Sequence, residues 1–161
     1  MTNDLCNILL RVAFAAVVCG VVGAPSDNTP AEEQLKALAT EVQAGRVGTV
    51  EILQIPPSLL TRSAVTPQIL DRSWHYRFTI RHLSDPRISN TSAVLKTAKC
   101  LPGVNSDVRW GVIFYSLADG KRILAIYFDR TGRTGAVDEV WVSFGENFLA
   151  RLKAALSPSF E

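Results

Sequence analysis

Histidine and cysteine are scarce in this chain, and their scarcity removes most hydrolytic and metal chemistry. There are two histidines, His75 and His82, and three cysteines, Cys6, Cys19 and Cys100. The histidines fall on opposite faces of one strand-like segment, so a histidine-based metal site is not expected. HExxH, CxxC and GxSxG arrangements are all absent, and so is a glycine-rich phosphate loop that opens a helix. No cofactor, metal or catalytic residue is therefore assigned. Charge of one sign is lacking too. The 17 Lys and Arg stand against 15 Asp and Glu, too even a balance for nucleic acid, whose binders concentrate basic charge on one face. There is no internal repeat and no low-complexity tract.

The one long apolar run lies at the start. Residues 12–22, Val-Ala-Phe-Ala-Ala-Val-Val-Cys-Gly-Val-Val, follow Arg11 and end in Gly23-Ala24 before the polar Pro25-Ser26-Asp27-Asn28. A charge, an apolar core and a small-residue exit form the pattern of a secretory signal peptide over 1–24. Export to the periplasm or the medium follows from that reading. The competing reading is an uncleaved N-terminal membrane anchor, since Leu5 to Ala24 is long enough to span hydrocarbon. Asn7 and Arg11 argue against it, because an arginine within a span costs about 2.5–3.5 kcal/mol on insertion scales.

Residues 25–161 then make one domain of ordinary size. Its single remaining thiol, Cys100, has no intrachain partner, so packing and not cross-linking must hold it. Thr29-Pro30-Ala31-Glu32 reads as a capping box opening a helix with Ala31, Leu35, Leu38 and Val42 on one stripe, stopped at Gly45. Val47 to Ile55 is a strand. Thr66-Pro67 opens a short helix, and Trp74 to Leu83 alternates as a half-buried strand. A helix is expected from about Thr91 to Lys99. Arg109 to Leu117, Lys121 to Phe128 and Ala136 to Val142 form a meander, and Ser143-Phe144-Gly145-Glu146 reads as a second capping box. The fold class is α+β: a mostly antiparallel sheet of about five strands ending in a three-stranded meander, with N-terminal and C-terminal helices packed on it. With Asp119-Gly120 as the turn, Phe114 faces Ala125 and Val112 faces Tyr127, while Tyr115 faces Leu124 and Ile113 faces Ile126. Both faces of that hairpin are apolar, so both need a cover.

Three constellations are candidates for function. His75, Arg77 and Arg81 share the polar face of the 74–83 strand, about 6.6 Å apart per two residues, a row suited to a carboxylate or phosphate. A solvated face paired with Asp138 or Glu139 accounts for the same row. Arg130 and Arg133 repeat in Asp129-Arg130-Thr131-Gly132-Arg133-Thr134-Gly135, where backbone N–H groups and arginines together suggest an anion nest. A plain hairpin loop accounts for it equally. Cys100 with His75 or His82 as base is the best enzyme alternative. The preferred reading is an exported, non-catalytic binding domain that recognises an unknown protein or small ligand, of anionic character. The alternatives are a thiol-dependent hydrolase and a membrane-anchored structural or assembly component. A homodimer is compatible with the doubly apolar hairpin, and a membrane partner enters only if the leader stays attached.

N-terminal sequencing of the exported protein is expected to begin at Ala24 or Pro25. A chain that still starts at Met1 and partitions with membranes would replace the signal peptide with the anchor.

Overall fold

The computed structural model describes residues 29–81 and 85–157. The leader, the 25–28 tether, His82, Leu83 and the stop at Pro158 lie outside the described residues.

The chain starts with α1 (Pro30–Gln43), and Thr29 caps it: the Thr29 hydroxyl accepts the Glu32 N–H at 3.3 Å. Only half of the expected capping box forms. The buried Glu32 carboxylate turns away from Thr29 and accepts the Cys100 N–H at 2.9 Å, which ties the helix start to a distant strand. β1 (Val47–Gln54) follows, then α2 (Pro67–Arg72), capped by Thr66, whose hydroxyl accepts the Ile69 N–H at 3.3 Å. Next come β2 (Tyr76–Arg81), α3 (Pro86–Lys96), β3 (Cys100–Pro102), β4 (Val108–Ser116) and β5 (Arg122–Asp129). β6 (Thr134–Val137), β7 (Val140–Phe144) and α4 (Phe148–Leu156) complete the order. The strands make one antiparallel sheet in the order β2-β1-β4-β5-β6-β7-β3, and the class is α+β.

Among the described residues seven strands replace the expected five, for two reasons. β3 is three residues long, too short for any periodicity, and exists because β7 offers it partners: Cys100 faces Phe144 and Pro102 faces Val142. The expected 136–142 strand is instead two strands, folded at Asp138, whose φ of 48° reverses the chain. Helix α3 starts at Pro86, five residues before the expected Thr91, because Asp85 caps it by accepting the Arg87 N–H at 2.9 Å. The second capping box does not form. Ser143 is held in β7 between Thr134 and Leu101, and α4 starts instead behind Asn147 with no side-chain cap.

The hairpin register is also corrected, by one residue. Phe114 faces Leu124, Val112 faces Ile126 and Ile113 faces Ala125, with an irregularity between Phe114 and Tyr115. The cause is the turn: the Ser116 N–H donates to the Lys121 carbonyl at 2.8 Å, which closes a four-residue loop and leaves an extra residue on the returning strand. The conclusion that both faces need covering survives the shift. On one face Val112, Phe114, Leu124, Ile126 and Phe128 join the stripes of α1, α3 and α4 in the larger core. On the other, Ile113, Ala125 and Tyr127 join Leu70 of α2 and Val65 of the preceding loop.

Phe128, Phe144 and Phe148 join β5, β7 and α4 with ring centroids 4.7–5.8 Å apart, a spacing at which each pair adds about 0.5–1.5 kcal/mol beyond its buried area. Phe128→Ala is expected to lower the unfolding free energy by about 3–5 kcal/mol in denaturant titration. Leu60→Ala, at a side chain 96% exposed, should change it by less than about 0.5 kcal/mol.

Candidate functional site

Strand β2 is an outer strand of the sheet, and only β1 pairs with it among the described residues. Six consecutive pairs, from Gln54–Tyr76 to Thr49–Arg81, run without a register shift. That register sets its faces. Phe78 lies beside Ile52 and Ile80 beside Val50 on the side of the larger core. Arg77 and Arg81 lie on the other side, in line with Leu53 and Thr49. Only Ile80 is buried; Trp74, Tyr76 and Phe78 are 40%, 52% and 40% exposed. The alternation expected for this segment is present, but its apolar face is half uncovered, because the strand lies at the rim of the helical layer.

The row of His75, Arg77 and Arg81 is only partly available. His75 is exposed and its backbone N–H donates to the Gln54 carbonyl at 2.9 Å. Arg81 is exposed. Arg77 forms an ion pair with Glu51 of the adjacent strand β1 and lies with its guanidinium 5.6 Å from the Trp74 ring. The partner expected from sequence, Asp138 or Glu139, is the wrong one: Asp138 binds Arg122 at 2.8 Å, four strands along the sheet from β2. Glu51 itself carries a signal readable in the sequence. A lone carboxylate inside Val50-Glu51-Ile52-Leu53 must be paired if it is buried.

Behind Arg77 lies a polar cleft of about 220 Å³, walled by Glu51, Asp71, Trp74, Tyr115 and Arg122. The Tyr115 hydroxyl donates to Glu51 at 3.0 Å, and burial together with that bond pushes its ionisation up to about 12. Tyr127 donates to Asp71 at 2.7 Å, and Arg122 joins Asp71 at 2.9 Å. Gly111 makes room for this: it faces Tyr127, and a Cβ there would lie 3.3 Å from the tyrosine ring and 3.4 Å from Leu70. The polar groups of the cleft thus satisfy one another and clamp β2 and α2 onto the sheet.

The other candidates are placed elsewhere. Cys100 is 1% exposed on β3, at the opposite edge of the sheet from His75, so the structure brings that pair no closer to a nucleophile and base. Burial, followed by the nearby Glu32 carboxylate, pushes its thiol up to about 11, which keeps it protonated at neutral pH. His82 lies outside the described residues. In the 129–135 loop the expected nest has an occupant from its own chain. The Asp129 carboxylate accepts the N–H groups of Thr131 and Arg133, each at 3.1 Å, while Gly132 takes a φ of 72°. Arg130 and Arg133 remain exposed on the rim of that loop, separated from β2 by β1 and β4. Among the described residues no group of three or more His, Cys, Asp or Glu could hold a metal ion, and no helix is long and apolar enough to cross a membrane.

Glu51→Gln is expected to cost about 1–3 kcal/mol of stability and to bring Tyr115 ionisation part of the way back from about 12, read by ultraviolet titration. The sign follows from the raised value. Tyr115 favours the fold fully below the ordinary tyrosine pKa of about 10, and that contribution is lost as pH rises through about 12. An unmoved titration in Glu51→Gln would assign the whole shift to burial. No protein family, curated protein or solved structure matches this chain, so the reading of the site rests on its own chemistry.

Proposed function

We propose that this chain is an exported, non-catalytic binding domain whose contact surface is the outer strand β2 and the residues that lead into it. The observation that supports this is the density of contact-forming side chains in Arg72–Arg81. Ten consecutive residues carry three aromatics and three arginines, and eight of them, 72–79, are exposed without a break. Single exposed apolar residues are ordinary on any protein. Aromatics and arginines together are what the centres of protein interfaces are enriched in. Export rests on the 1–24 leader.

The chemistry around the strand favours binding over turnover. Each ionisable group in the adjoining cleft is held by a partner of opposite charge or by a hydroxyl. Such a network fixes positions and leaves no free base beside a nucleophile.

A photo-reactive residue at position 76 of the full-length protein, expressed in its own host, is expected to give one discrete cross-linked product. The same residue at position 101, exposed on the opposite edge strand, should not. Adding Phe78→Ser should abolish the product while the melting temperature stays within a few degrees. Equal cross-linking from both edges, or none from position 76, would remove this surface from consideration.

A further inference from the structure

The two edges of the sheet are built differently, and the difference points to what β2 takes. Sheet edges carry unpaired backbone donors and acceptors, and proteins blunt them with short strands, prolines, bulges or charge. Edge strand β3 is blunted: it is three residues long and ends in Pro102. Edge strand β2 is six residues long, about 20 Å, contains no proline, and pairs with β1 without a bulge. Its arginines are the one guarding feature, and exposed Trp74, Tyr76 and Phe78 contradict a purely protective role. An edge designed only to repel other strands would not display three aromatic side chains.

Building on the binding reading above, we propose that β2 receives an extended acidic segment of another polypeptide as an added strand of the sheet. The backbone edge supplies main-chain hydrogen bonds, and alternate side chains of the guest meet the two faces of β2. One face offers Tyr76 and Phe78, and the other Arg77 and Arg81. The charge selects the guest. From Arg72 to Arg81 there are three arginines, one histidine and no carboxylate; of the two acids in the adjoining cleft, Glu51 is taken up by Arg77 and Asp71 by Arg122 and Tyr127. A second copy of this chain would bring two such positive strands together, which like-charge cross-strand contacts oppose. A guest with acidic residues at alternate positions meets Arg81 on one face and leaves its apolar residues for Tyr76 and Phe78 on the other.

The test uses the protein as its host exports it and a blocked decapeptide of alternating glutamate and valine as probe. Hydrogen exchange is followed at single-residue resolution. Strand addition protects every second amide of residues 76–81, since the intervening amides already bond to β1. Arg81→Glu, at an exposed side chain, should weaken the probe about tenfold or more, the effect of losing one charge-assisted contact. A lysine–valine decapeptide should not bind. The inference is overturned by protection without the two-residue period, by equal binding of the lysine peptide, or by a single-stranded oligonucleotide that displaces the probe. It is also overturned if the alternate β2 amides are protected before any peptide is added, whether in a dimer or in a monomer whose own chain fills the edge. Cross-linking from position 76 combined with failure here would leave the binding surface standing and remove the added strand alone.

Discussion

Residues 108–114 and 124–128 are buried without a break, so the two central strands β4 and β5 have no face to give to water. Antiparallel sheets usually keep one wet side. Here the hydrophobic effect must be satisfied twice across the same pair of strands, and the placing of the other elements follows from that. Three helices, α1, α3 and α4, close the larger side. The smaller side is closed by material too short to be a helical layer: Leu70 of α2, Val65 and Ile55.

The thinness of that second cover explains the polar chemistry beside it. α2 is six residues long, too short to bury its surroundings by apolar contact alone. Asp71 at its end instead receives Tyr127 and Arg122 from β5. Two strands further out, on β1, Glu51 gathers Arg77 and Tyr115. Both clusters are half-enclosed, where ion pairs lose less to desolvation than in a full interior. They hold α2 and β2 in place, and they leave the outer side of β2 as the least covered regular structure of the sheet.

Groups that look reactive are engaged by partners within the chain. Cys100 is a core residue whose N–H anchors α1 through Glu32, and its buried thiol resists ionisation. The repeated Arg-Thr-Gly loop has turned its backbone donors inward onto Asp129. A carboxylate fixed a few residues away always competes well with a dissolved anion, because its closure costs little entropy. With those groups engaged internally, residues 72–79 still face outward without a break, three aromatics and two arginines among them.

The sequence by itself determined α1 and α2, whose Thr-Pro starts carry their own caps, and β1, β4 and β5, whose apolar runs allow little else. It also determined that the central hairpin needs cover on both sides, since that depends on composition and not on register. Strand β2 and helix α4 were legible as well, while registers, partners and the shortest strand were decided by the tertiary structure. The β4–β5 register turned on a loop hydrogen bond between Ser116 and Lys121 that no propensity encodes. β3 exists because β7 lies beside it, and Asp138 reverses the chain without the glycine that marks such turns. For the candidate site, the aromatic–arginine alternation from Trp74 to Arg81 was visible in the residues alone. That Glu51 and not Asp138 or Glu139 meets Arg77 was not, because strand order is a long-range choice. Local patterns state which side chains need a partner or a cover; which group supplies it depends on how the whole sheet is wound.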